Sequence, residues 1–213
     1  MPMRTYPLLL PRLLVLRYVS LSLSFMKVLL LCFVAALLAT NCKKDDPEAG
    51  LPPATQESKN TSGCFINGQV FSASGFGSGL GRVAGIAGGF AEDSLYRLRL
   101  NGTAGGKEYS LILFIANFPR TGKALVGMHL LNKDTPYWPQ EIFSRCQNHA
   151  TVTPNDYSGE LYGTTSVYTG QVQITRADVA QRIASGTFEF TAVSNLDPTK
   201  TVRVTSGRFD RQQ

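Results

Sequence analysis

From Gly63 onward the chain alternates apolar and polar residues with a period of two, the pattern of strands that bury one face. In LYRLRLNG, Tyr96, Leu98 and Leu100 share one side while Arg97 and Arg99 take the other. YSLILFIANF, from Tyr109 to Phe118, is more continuously apolar, as a central strand would be. Pro119-Arg120-Thr121-Gly122 then supplies a turn before KALVGMHLL. SVYTGQVQITR alternates again, with Val172 and Ile174 on one side. Helical spacing is confined to ADVAQRI, Ala177 to Ile183, which reads equally well as a turn leading into a strand. Strands punctuated by Gly, Asn and Asp predict an all-β domain, an antiparallel β-sandwich or barrel.

The C-terminal part carries the sharpest expectation. GTFEFTAV and KTVRVTSGRFD predict two strands joined across Ser194 to Thr199, where Asn195, Asp197 and Pro198 are turn residues. Pairing Phe190 with Val202 sets Phe188 opposite Val204 on the buried face. The same register sets Glu189 opposite Arg203 on the outer face, where opposite charges attract. A slip by one residue would send both phenylalanines to water.

The first 62 residues follow other rules. Val28 to Ala39 reads VLLLCFVAALLA, uncharged and about 12 residues long, against the roughly 20 that a membrane-spanning helix needs. With Lys27 before it, this is the hydrophobic region of a secretory signal. A signal starting at Met26 has ordinary proportions, so residues 1–25 are read as a start-site artefact; the alternative is one membrane helix over residues 8–39. KKDDPEAGLPPATQESKNTS, after Cys42, is polar, holds three prolines and offers almost nothing to bury, as a flexible tether would. The expected organisation is therefore a signal peptide over 1–41, an anchor residue and tether over 42–62, and a domain over 63–213.

That division changes the meaning of the net charge of +6. Arg4, Arg12, Arg17 and Lys27 precede Cys42, and every acidic residue follows it. Without those four of its 21 basic residues the chain keeps 17 against 15 acidic ones. A nucleic-acid partner would need a dense basic surface, so none is expected.

Leu38-Ala39-Thr40-Asn41-Cys42 resembles the lipobox of bacterial lipoproteins, with Ala39 and Asn41 as departures from its usual pattern. The resemblance implies cleavage before Cys42, a diacylglycerol on its sulfur, an acylated new amine and a membrane as partner. Lys43-Lys44-Asp45-Asp46 resembles the charged tetrad of surface-exported Bacteroidota lipoproteins, which implies the outer membrane, at the cell surface or its periplasmic face. Thr61 to Val70 (TSGCFINGQV) is similar to the opening of a Bacteroidota lipoprotein family with no assigned activity. Gly186 to Ala192 and Val204 to Asp210 are similar to that family's closing segments.

Candidate chemistry is sparse. Cys32 leaves with the signal, so Cys64 and Cys146 remain as either a disulfide or two buried thiols in an oxidising compartment. The glycines of GFGSGLGRVAGIAGG, Gly75 to Gly89, lack the Gly-Lys-Ser/Thr ending and the helix of a phosphate loop. His129 and His149 are isolated and read as structural, so no metal site and no cofactor is expected. Glycoside cleavage would need two of Glu108, Glu141, Glu160, Asp156 and Asp178, and nothing singles out a pair, so the catalytic residues stay unknown. Thr135 to Pro139 sets Tyr137 beside Trp138 between prolines, a candidate platform for stacking on sugar rings or a plug packed against the fold. The expected role is a non-catalytic binding or structural module of the cell envelope, with a glycan or another envelope protein as partner. The alternative is a secreted hydrolase acting on glycans or other envelope polymers.

Overall fold

The computed structural model describes residues 48–91, 95–116, 125–134 and 147–213. The signal segment, Cys42, the turn at 119–122, Tyr137, Trp138, Glu141 and Cys146 lie outside the described residues. Among those described, eleven strands run in order: β1 (Thr61–Ile66), β2 (Gln69–Ser72), β3 (Ile86–Ala91), β4 (Leu95–Ala104), β5 (Lys107–Ala116), β6 (Gly127–Leu131), β7 (His149–Pro154), β8 (Tyr162–Gly163), β9 (Gly170–Asp178), β10 (Ile183–Ser194) and β11 (Thr201–Gln212). The segment that offered helical spacing is the end of β9, a turn, and the first residue of β10.

All pairings are antiparallel, and eight of the strands close a ring in the order β1-β2-β4-β5-β7-β8-β10-β11 and back to β1. Three more hang outside it, β3 on β4, β9 on β10 and β6 on β9. Closure removes edges that would otherwise expose unpaired backbone groups.

The ring is built twice. β1 to β5 and β7 to β11 follow one plan: a hairpin, a strand flanking the long fourth strand, and a second hairpin. The end of β4 pairs with β2 (Ala104 with Phe71) while Leu100 pairs with Ile86 of β3. The end of β10 pairs with β8 (Ser194 with Tyr162) while Phe190 pairs with Gly170 of β9. The two contacts are equally spaced along β4 and β10, so the halves share strand order and this spacing.

The predicted alternation holds in these strands. Tyr96, Leu98 and Leu100 from β4, Val172 and Ile174 from β9, and Phe188 and Phe190 from β10 are all buried. They meet Leu111, Leu113, Val202, Val204 and Phe209 in one core. Each such side chain stabilises the fold by about 1.5–3 kcal/mol relative to exposure.

The register between β10 and β11 differs from the predicted one by two residues. Ala192 pairs with Val202, Thr191 with Arg203 and Phe190 with Val204, so Glu189 does not sit opposite Arg203. The turn is centred one residue further along the chain: Ser194 N–H bonds Lys200 O at 3.0 Å, leaving 195–199 as the loop. A shift by two preserves faces, and both Glu189 and Arg203 remain exposed on the outer side. Beyond Phe190 a bulge intervenes, with Ser206 at φ 51° and Phe188 opposite Gly207. A Cβ on Gly207 would collide with the Phe188 ring, so the glycine is what lets that ring lie over β11.

The folded unit begins at Gly50, ahead of the Gly63 boundary that the composition predicts. The strap that precedes β1 is fastened to one side chain. Asp210, fully buried, accepts hydrogen bonds from Thr55 Oγ1 at 2.6 Å and Ser185 Oγ at 2.7 Å. It also accepts the backbone N–H groups of Glu57 at 2.9 Å, Ser58 at 3.0 Å and Lys59 at 3.1 Å. Ser58 at φ 64° and Asn60 at φ 53° fold the strap so that successive amides converge on the carboxylate. Asn60 Oδ1 in turn accepts from Arg211 Nη1 at 2.8 Å and from Gln212 N–H at 3.0 Å. A segment with little to bury is thus ordered by polar bonds in place of apolar burial.

Candidate functional site

Most of the residues that could carry chemistry hold structure instead. Cys64 is a free thiol, fully buried in the core, and no disulfide is present among the described residues. This corrects the Cys64–Cys146 bridge: the β1 side chain points into the ring, where it packs as a small apolar group. Burial pushes its thiol well above the usual range, which leaves it un-ionised and unreactive.

His129 Nε2 lies 2.7 Å from Leu125 O. His149 is buried, bonds Gln147 O through Nδ1 at 2.7 Å and stacks on Phe114 with ring centroids 4.8 Å apart. Burial lowers its pKa, the Gln147 carbonyl opposes that, and the charge of Arg97 adds to the lowering. No group of three His, Cys, Asp or Glu among the described residues is placed to hold a metal ion.

The described carboxylates weighed for hydrolysis are each engaged in hydrogen bonds that hold strand ends and turns. Glu108 accepts from Asn155 Nδ2 at 2.6 Å, Asp156 from Ser158 N–H at 3.1 Å and Asp178 from Gln181 N–H at 2.9 Å. Glu160 accepts from Ser194 Oγ at 2.8 Å and lies 3.6 Å from Lys200 Nζ. The hydrogen bond from Ser194 holds the Glu160 carboxyl below its ordinary range, so it is no general acid at neutral pH. The glycine-rich stretch contains a single 3-10 turn, Gly79–Gly81, and β3. Gly85 is needed there because the Ala73 carbonyl passes where a Cβ would stand.

One open groove of ≈ 370 Å³ lies where β6, β9, β10 and β11 meet. Gln171 and Thr169 form one wall, Arg203 and Thr205 the other, with Glu189 and Thr191 between them and Leu130 at the margin. Alternation explains the set: Phe190 and Val204 fill the core, so their neighbours in sequence face out. Glu189 Oε1 accepts from Gln171 Nε2 at 2.9 Å. The Arg203 backbone is engaged with Asn67, its N–H bonding Asn67 Oδ1 at 2.8 Å, while its guanidinium has no hydrogen-bond or ion-pair partner among the described residues. The groove therefore offers a free cation, a carboxylate with spare acceptor capacity, an amide and three hydroxyls.

Compared with known protein families, with curated proteins and with solved structures, the chain matches none. The functional reading rests on its own residues. Glu189 and Arg203 were marked by their sequence, although as an ion pair; Gln171, Thr191 and Thr205 carried only the signal of outward positions on alternating strands.

Proposed function

We propose that this chain is a lipid-anchored envelope protein whose β-ring domain is a non-catalytic binding module. Anchoring is supported by the resemblance of Leu38 to Cys42 to a lipobox and by the polar segment that follows. Binding is supported by one observation above the rest: the groove is open, and among the described residues that line it Glu189 is the one carboxylate. Glycosidic cleavage takes two carboxyl groups roughly 5–9.5 Å apart, and Glu108, Asp156, Asp178 and Glu160 lie outside the groove, each engaged in hydrogen bonds that hold the fold.

Two measurements test the reading. Cys42→Ser should release the protein from membranes on fractionation; continued membrane association would defeat the anchor. Incubation with envelope polysaccharides should yield a bound complex and no shortened chains, whereas new reducing ends that vanish in Glu189→Gln would make the domain a hydrolase.

A further inference from the structure

We infer that the groove at β6, β9, β10 and β11 is a saccharide site, recognised by side chains alone; the inference rests on the binding-module reading and names its ligand class. Among the described residues β9, β10 and β11 each have a paired strand on both sides, so a peptide cannot add to them as a further strand. What the groove offers is hydrogen-bonding side chains of both senses. Threonine hydroxyls donate and accept, the Gln171 amide does both, Glu189 accepts and Arg203 donates. A ligand rich in hydroxyl groups, each of which also donates and accepts, matches that set. Leu130, half exposed at the margin, gives an apolar contact for the C–H face of a sugar ring.

Charge favours a glycan over a lipid headgroup. Among the described residues that line the groove Arg203 is the only cation, and a phosphate there would meet the Glu189 carboxylate beside it.

The test uses the full lipidated chain in detergent on an array of oligosaccharides, with each hit measured by calorimetry. Arg203→Gln and Glu189→Gln should each weaken binding about tenfold to a hundredfold while melting stays unchanged, since both side chains are exposed. Binding that survives both variants but is lost in Trp138→Ala would move the site out of the groove and overturn the inference. An array with no hits would overturn the saccharide class. In that case a photo-crosslinker at position 203 separates the two levels: capture of one defined envelope protein keeps the binding module, and no capture sinks both readings.

Discussion

Leu95 faces Ala116 across β4 and β5, and Ser185 faces Asp210 at the corresponding place across β10 and β11. Both places are buried, yet with opposite chemistry. Leu95 joins Phe114 and Ala116 in a small apolar cluster separate from the main core. Ser185 and Asp210 instead make a polar socket for the strap. The hairpins differ in regularity too. β4 and β5 pair through ten unbroken positions and turn at Gly105 and Gly106, both with positive φ, as a tight hairpin requires. β10 and β11 carry a bulge and a longer turn, and the groove lies on that half. Bulges re-aim side chains and gather beside sites. One plan, used twice, gives a regular structural half and an irregular half that holds the strap and the groove.

The largest effect should come from removing the socket. Asp210→Ala strands three amides and two hydroxyls and should cost about 3–5 kcal/mol in urea unfolding. Hydrogen exchange should show protection lost at Glu57, Ser58 and Lys59 while β4 and β5 keep theirs; unchanged protection of the strap would remove Asp210 as its fastening. Leu95→Ala should cost about 2–4 kcal/mol through lost burial and a cavity. In the double variant the two losses should add, because the sites share no partner. Strong coupling between them would mean that the halves do not act separately.

The strands were legible because burial on one face leaves a period-two trace, as in Tyr96, Leu98 and Leu100. The strap was not, because one carboxylate collecting five donors leaves no periodicity between Thr55 and Lys59. The two-residue error beside Ser194 came from where the turn is centred, which alternating residues do not encode. The duplicated plan was hidden for a related reason: equivalent positions differ in kind, Ile86 matching Gly170 and Leu95 matching Ser185. The groove gathers outward residues of three consecutive strands and of the more distant β6, and alternation alone does not mark which outward positions share a site, so only its Glu189 and Arg203 stood out.

A smaller effect probes the bulge. Gly207→Ala should cost about 1–3 kcal/mol, because its methyl group would press on the Phe188 ring and the neighbouring backbone. Phe188→Leu in the same chain should recover part of that loss. A neutral Gly207→Ala would mean that the bulge yields, and that the ring does not depend on it.

The smallest expected effect separates the two burial chemistries by pH. His149 of β7, stacked on Phe114 of β5, has a lowered pKa because burial disfavours its charge. The unfolded chain then binds more protons than the folded one below the ordinary histidine value near ~6.5, so stability should decline as pH falls through that point. Burial of Asp210 acts to raise its carboxyl, but the bonds from Thr55, Ser185 and the Lys59 and Ser58 amides prevail and hold it below the ordinary range. Its contribution is therefore intact above about pH 4, the unfolded carboxylate value, and lost as pH falls through the lower folded value. Unfolding midpoints measured from pH 7.5 to 2.5 should show two successive limbs. His149→Phe should flatten the first and Asp210→Asn the second. A single variant that flattened both would show that the apolar cluster and the polar socket open together.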